Sequence, residues 1–379
     1  MADVTIVGAG PVGMLLAGEL QRRGVDVRVL ERRPAAGGGT RAIGVHAPVL
    51  AALEPSGVTD RLLGHAVRVR RGEARTDGRV LGSVRFDRLS TRFPFVATLP
   101  QSATEAVLAA DAPEPLRGAH VRAVLPRGDT VVVRAGVGGR PVELESRIVV
   151  VAAGAGGRDL VYRPHAVPRR EYADRYLMTD APASGNADPE VAVVHLDRHG
   201  VLESFPLPGG YRRFVAWDDP GAADDPAARV VRLRDALTRR GEGDAAGGVE
   251  EATSFGVRRV LAPQLRNGRV FAIGDAAHEV SPIGGQGMNL GLLDAATLAP
   301  LLAQWITTGS APDAELARWQ ARRLRSARRA ATLAAMNTAL GRPLRAADPL
   351  RRAGVRAMLA PPAAALFARA YAMGFDADA

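Results

Sequence analysis

The first thirty-one residues limit the fold more than any other part of the chain. Val4 to Val7 is a short β-branched run, and Gly8, Gly10 and Gly13 follow it in GAGPVG. Met14 to Arg23 continues with good helix formers, Gly24 interrupts them, and VDVRVL then alternates up to Glu31. This is a whole β-α-β unit with a glycine turn at its first crossing and an acid about 20 residues beyond it. Gly8 permits the tight turn, Gly10 lets the backbone approach a pyrophosphate, and Gly13 lets the helix pack close to the strand. The helix N-terminus adds free N–H groups and positive potential. Glu31 is placed to accept hydrogen bonds from an adenosine ribose. Pro11, Val12 and Arg32 flank these positions and complete the candidate contact set. The motif selects a dinucleotide without separating NAD from FAD.

The rest of the chain has to supply the second half of a site, and composition narrows what that half contains. The 379 residues, 47% hydrophobic, are enough for two domains and a large core. Cysteine is absent, which excludes disulfides, thiolate metal sites and cysteine nucleophiles. The seven histidines are scattered without an HxxxH pair, so no metal site is expected. The chain has no lysine, so every basic side chain behind its net charge of +10 is arginine, and Schiff-base chemistry is excluded. The densest cluster, Arg322 to Arg329, falls in a helical pattern without interleaved aromatics; it reads as a solvated helix face, not a nucleic-acid surface. The N-terminus has no basic leader. The apolar segment Leu290 to Ile306 is broken by Asp294, Pro300 and Gln304, so it reads as a core helix rather than a stable membrane insertion, with the cytoplasm as the expected location.

Residues 270–302, VFAIGDAAHEVSPIGGQGMNLGLLDAATLAPLL, carry the second motif. An apolar strand, Val270 to Ile273, runs into Gly274-Asp275. A loop with Pro282 and Gly284-Gly285 follows, then a helix beginning near Gln286. An acid at a strand end can hold a sugar-alcohol chain, and a glycine-rich helix start can face an electron-rich ring edge.

This string resembles the flavin-binding motif of the group A flavoprotein monooxygenases, the p-hydroxybenzoate-hydroxylase-like family. The resemblance implies FAD. Asp275 would bind its ribityl hydroxyls, Pro282 would line the flavin, and Gly285, Gln286, Gly287, Met288 and Asn289 would turn backbone N–H groups to the pyrimidine side of the ring. Thr40-Arg41-Ala42 is similar to the family's arginine segment near the pyrophosphate. Leu99-Pro100-Gln101 is similar to its glutamine segment. Arg41 as a surface arginine and Gln101 as a helix-capping amide remain the plainer alternatives. Leu202 to Val215 resembles a strand-turn-strand of the family's substrate domain, and the tail after Arg318 resembles the C-terminus of ubiquinone-biosynthesis hydroxylases.

The expected fold is therefore α/β: a Rossmann-like FAD-binding domain with an inserted β-sheet substrate domain and C-terminal helices. The FAD domain takes residues 1–65, 99–163 and 263–310, the substrate domain 66–98 and 164–262, and the helices 311–379, which pack across the flavin domain. Asp218 to Ala228 reads as a loop by composition.

One departure bears on function. Family members carry a strand ending in Asp-Gly, then a serine and an arginine, a motif linked to FAD binding and NAD(P)H use. In VVVAAGAGGRDL, Val149 to Leu160, the register puts Gly154 in the aspartate's place, Ala155 in the glycine's and Asp159 near the serine, with Arg163 for the arginine. Two readings stay open. One is an FAD-dependent monooxygenase that inserts one oxygen through a flavin C4a-hydroperoxide into an aromatic, phenolic or polyketide-like small molecule, with NAD(P)H as a transient reductant. The other is an FAD-binding protein of the same fold that catalyses a non-redox step such as a cyclisation. A flavin halogenase is disfavoured for want of a lysine. His46, Arg41, Tyr211 and Arg213 are candidate pocket residues. No catalytic side chain is assigned, and the oligomeric state is not readable.

Overall fold

The computed structural model describes all residues except 36, 38–41, 186, 345–347 and 377–379. Two eight-stranded sheets organise the chain, with a small three-stranded sheet beside them. In the first sheet the strands Val270–Ala272, Arg140–Val151, Ala2–Val7, Val27–Glu31 and Leu116–Arg117 lie side by side, parallel at each junction. Ile6 is the partner of Val150 on one side and of Val29 on the other. Val4, Ile6 and the run Ile148 to Val151 are completely buried. That is the pattern of a parallel sheet covered on both faces, where strands read as continuous apolar runs. The hairpin Ala119–Arg127 and Thr130–Val137 pairs antiparallel with the first half of Arg140–Val151.

Helix Pro11–Gln21 starts with a proline at its first turn, where the missing N–H costs nothing, and Gly24 leaves it with φ +75°. It lies against the long helix Gly287–Thr308. Their approach is close: a Cβ added to Gly291 would stand 2.6 Å from Val12 Cγ2 and 3.0 Å from Gly274 Cα. Gly287–Thr308 is long and apolar enough to cross a membrane, yet most of it is buried here. It is a core helix, as its interrupting polar residues imply.

The second sheet runs in the order His278–Glu279, Thr253–Leu261, Arg169–Pro182, Tyr211–Asp218, Gly200–Leu207, Val191–Asp197, Arg71–Thr76, Arg79–Arg85. All its pairings are antiparallel except that between Val191–Asp197 and Arg71–Thr76. Period-two alternation splits its faces. Leu177, Leu202 and Phe214 pack under helix Pro226–Thr238 with Leu233 and Leu237. Met178, Val201 and Val215 face the other way, toward Val355, Leu359 and Ala368.

Three expectations are corrected here. Helix Asp313–Leu340 does pack on Gly287–Thr308, but Asp348–Met358 and Ala363–Tyr371 pack on the second sheet, against Arg79–Arg85, because their apolar faces meet its open face. The stretch 218–228 is not all loop: Asp225 accepts a hydrogen bond from Ala228 N and caps a helix that starts at Pro226. Arg323 in the arginine cluster is completely buried, ion-paired to Asp294, while Arg322, Arg325, Arg328 and Arg329 are exposed. Its position on the helix turns it inward together with Ser326, Ala327 and Ala330.

Candidate active site

A cavity of about 760 Å³ runs between the two sheets. At one end lies the glycine turn. Gly8 has φ +111°, and a Cβ there would stand 2.5 Å from Ala152 O. A Cβ on Gly13 would stand 2.0 Å from Gly8 O. These two glycines are fixed by backbone contact. Gly10 differs, since an added Cβ would meet nothing within 4 Å and the residue lines the cavity. It leaves room for a ligand at the start of helix Pro11–Gln21. Pro11, Val12, Glu31 and Arg32 line the same end, while Gly13 lies behind it. The Glu31 carboxylate accepts hydrogen bonds from Ala9 N (2.8 Å), Arg33 N (2.8 Å) and Arg33 Nε (3.0 Å). Burial opposes its ionisation, but those donors outweigh burial and hold it below its ordinary value.

Gln101 lines the cavity at the first turn of helix Gln101–Ala109, with Pro100 at the cap position, so it is not the capping residue. Its Oε1 accepts from Ala42 N at 3.1 Å and its Nε2 donates to Glu105 at 2.8 Å. Arg41 lies outside the described residues.

The second motif meets the first across the cavity. Gly274 has φ +62° and donates its N–H to Asp294 Oδ2 at 3.0 Å. Asp275 follows on the cavity wall, exposed. Pro282, Gly284, Gly285, Gly287 and Met288 also line it, and Gly284 and Gly285 take φ +101° and +68°. Only glycine adopts such a pair of angles without strain, and it lets the backbone, not side chains, form the surface before the helix start. The side chains of Gln286 and Asn289 do not line the cavity. Asn289 accepts from His46 N and donates to Gly44 O and Gly285 O, and Gln286 Nε2 donates to Ala370 O and Tyr371 O. Both amides pin the loop rather than touch a ligand.

Residues 149–160 correct the register of the third motif. Gly154 has φ +64° and ψ −163°, a region essentially confined to glycine. An aspartate would not belong there, so Gly154 takes the place of the motif's glycine. Ala153, which lines the cavity one residue earlier, takes the place of its aspartate. The segment then forms a short 3-10 helix, Ala155–Leu160. From it Arg158 donates to Asp275 O at 2.6 Å and pairs with Glu279 at 3.3 Å. Arg158 ties the third motif to the second, a contact that spacing along the chain does not reveal.

A family model described as an FAD binding domain matches residues 1–334. This chain belongs to the group A flavoprotein monooxygenases. A relative from Streptomyces rimosus, 6-methylpretetramide 4-monooxygenase, is 33% identical over 362 residues. The match covers 89% of this chain and 63% of the relative, so the chain spans less than two thirds of it. The solved anhydrotetracycline hydroxylase OxyS from Streptomyces rimosus superposes with a TM-score of 0.77 at 27% identity, over 98% of this chain and 76% of that one. The p-nitrophenol 4-monooxygenase PnpA from Pseudomonas putida DLL-E4 shares the fold, with a TM-score of 0.88 at 23% identity, over 100% of this chain and 98% of that one.

The residues of this family member fit FAD. Gly10 leaves open space in the cavity that a pyrophosphate could fill, Glu31 is oriented at the same end, and a left-handed glycine loop precedes the helix at the far side. Among the described residues no cluster could hold a metal ion. Of the other pocket candidates, Tyr211 is 48% exposed and lies away from the cavity, whereas His46 and Arg213 line it. Burial lowers His46 to about 4, so its ring is neutral, and Arg213 is held by both oxygens of Asp180. Beyond the flavin motifs the cavity continues along Met178, Val194, Phe205, Val215, Phe255, Phe367 and Tyr371. Sequence reasoning did not assign these. The alternation in Gly200–Leu207 was the available signal, but it does not say which face is open.

Proposed function

We propose that this chain is an FAD-dependent monooxygenase that inserts one oxygen atom into an aromatic, phenolic or polyketide-like small molecule, with NAD(P)H as transient reductant. The observation that carries this reading is the continuity of one cavity, from the glycine turn and Glu31 through Asp275 and Gly285 to an apolar pocket walled by the second sheet and the helix Ala363–Tyr371. The names of the relatives, built on 6-methylpretetramide and anhydrotetracycline, support a fused-ring substrate.

In this reading residues 1–65, 99–163 and 263–310 carry the cofactor, and 66–98 with 164–262 carry the substrate. Gly8, Gly10, Pro11, Val12, Gly13, Glu31 and Arg32 would hold the adenosine and pyrophosphate part and Gln101 the ribityl or phosphate region, with Arg41 assigned to the pyrophosphate by the family resemblance alone. Asp275, Pro282 and the backbone from Gly285 to Asn289 hold the flavin part. FAD supplies the oxygen-activating chemistry when bound. The chain's own residues do the rest. The start of helix Gly287–Thr308 would place positive potential beside the flavin ring and so favour negative charge on it. The apolar walls exclude water from the reacting centre and orient the substrate against it.

The test is to mix the purified flavoprotein anaerobically with NADPH or NADH, with and without an aromatic probe, and then admit isotopically labelled dioxygen. Bleaching of the flavin followed by one labelled oxygen in the product is expected. A yellow protein that never bleaches yet converts its substrate would refute the proposal and favour the non-redox reading. That second reading is motivated by Ala153-Gly154, where the carboxylate linked to NAD(P)H use is missing.

A further inference from the structure

Gly200–Leu207 is a central strand of the second sheet. Its residues Val201, Glu203 and Phe205 line the cavity, while Leu202 faces the helices on the other side. One rung of the sheet can be followed through paired residues: Met178 to Val215, Val215 to Glu203, Glu203 to Val194, Val194 to Ala74, Ala74 to Gly82. Every member is apolar or small except Glu203. The opposite wall adds Leu340, Leu359, Phe367 and Tyr371.

Glu203 is only 5% exposed, and its carboxyl has no hydrogen-bond or ion-pair partner among the described residues. A carboxyl that opens only onto an apolar cavity, with no protein partner, lowers stability and gives folding nothing in return. A leucine would fill the same rung at no such cost. The side chain is therefore explained by something that enters the cavity and completes its hydrogen bonding.

We propose that the Glu203 carboxyl is the hydrogen-bond donor that recognises the substrate, selecting an uncharged aromatic that bears a ketone or quinone oxygen. This rests on the aromatic-substrate reading above and assigns the polar contact inside it. Burial raises the carboxyl to about 8, so at neutral pH it carries its proton and can donate it to a carbonyl oxygen. A carboxylate on the substrate gains nothing from this wall, because the cations near it are engaged.

The groups on the elements packed against Glu203 are accounted for. Tyr176 and Tyr371 lie near enough to feel its charge, and burial keeps both phenols protonated. Arg213, two residues from its partner Val215, is clamped by Asp180. Glu73 is bonded by Arg75 at 2.6 Å, and Arg258 faces Glu171 at 3.5 Å. His195 belongs to the opposite face of its strand, 3.8 Å from Glu242. Helix Asp313–Leu340 presents Asn337 and Leu340, and Asp348–Met358 presents Val355 and Met358, none of them titratable. Among the described residues of this wall, Glu203 is the group that burial carries into the neutral-to-alkaline range.

The experiment measures binding of menadione to the oxidised holoenzyme by flavin difference spectra between pH 6.5 and 9.5. Menadione has quinone carbonyls and no titrating group, so pH dependence belongs to the protein or to the flavin N3–H, and Glu203→Gln separates the two. Wild-type affinity should fall by tenfold or more across that range, with a midpoint near pH 8. Glu203→Gln keeps a donor and should bind with a flat pH profile. Glu203→Leu should bind at pH 6.5 as weakly as the wild type does at pH 9.5. Flat wild-type binding, or full affinity in Glu203→Leu, overturns the assignment while leaving the pocket reading intact. No binding to any form at any pH overturns the pocket reading, and the assignment with it.

Discussion

Replacing Arg323 by methionine breaks a buried ion pair that supports the flavin turn from behind. Arg323 and Asp294 are both fully buried, with Arg323 Nε 2.9 Å from Asp294 Oδ1. The other oxygen, Oδ2, takes Gly274 N at 3.0 Å and His278 Nε2 at 2.6 Å. Burial opposes the charge on Asp294, but His278 and Arg323 outweigh it and lower the carboxyl from 3.8 to about 2. A shift of nearly two units corresponds to roughly 2.5 kcal/mol. Breaking a buried pair from one side costs about 3–5 kcal/mol, because the remaining charge is left uncompensated. Since His278 and Gly274 still serve Asp294, the lower end, about 3 kcal/mol, is expected for Arg323→Met. Urea unfolding followed by circular dichroism measures it. The pH sign follows from the depressed value. The stabilisation is present above the unfolded value near 4 and is lost as pH falls toward 2, and in the variant that acid-sensitive share shrinks. FAD should also dissociate faster, because the turn before Asp275 loses its support. A loss below about 1 kcal/mol with unchanged FAD retention would refute the reasoning.

Other expectations are simpler to check. Gly13→Ala drives a Cβ against Gly8 O and should give little folded protein, whereas a Cβ at Gly10 meets no protein atom within 4 Å, so Gly10→Val should fold colourless; stoichiometric FAD in purified Gly10→Val would sink the site assignment. Glu203→Leu should be more stable than wild type at pH 8, by at most about 4–5 kcal/mol from the linkage of its raised carboxyl. The pH-dependent part of that gain should be absent below about pH 4.5, grow through neutral pH and level off above 8, and a gain independent of pH in denaturant melts would contradict it. Ala153→Asp should tighten FAD and speed anaerobic flavin reduction by NADPH, while Gly154→Asp should mainly lower the melting temperature. The reverse order would restore the register that Gly154's backbone angles argue against.

The flavin end was legible because its chemistry is written in glycines. Gly8, Gly13, Gly284 and Gly285 are required by backbone contact or by left-handed angles, so local spacing alone exposes them. Asp275 and Glu31 were legible for a related reason: Glu31 ends a strand of alternating pattern, and Asp275 stands one residue after the apolar run Val270 to Ile273 and its Gly274. The third motif was misread by one residue because its polar groups are missing, and only the torsions at Gly154 show which position the turn reserves for glycine. The substrate end was not legible. Glu203, Phe205, Met178 and Tyr371 come from two strands and a helix separate in sequence, and period-two alternation cannot tell a face that meets a cavity from one that meets a helix. Arg323 shows the same limit from the other side. A charged residue in a charged run is exposed by default, and only the partner at Asp294, in a different helix, reverses that.

The amide of Gln286 has a consequence for anyone exchanging parts between members of the family. It is anchored to Ala370 O and Tyr371 O, at the end of the helix whose Phe367 and Tyr371 wall the substrate pocket. The neighbouring residues Gly285 and Gly287 line the part of the cavity proposed for the flavin. A C-terminal segment grafted from another enzyme to alter substrate choice therefore also resets the flavin loop, unless its last turn offers two carbonyls at the same spot. The tail of this chain is better treated as half of a cofactor clamp than as an interchangeable lid.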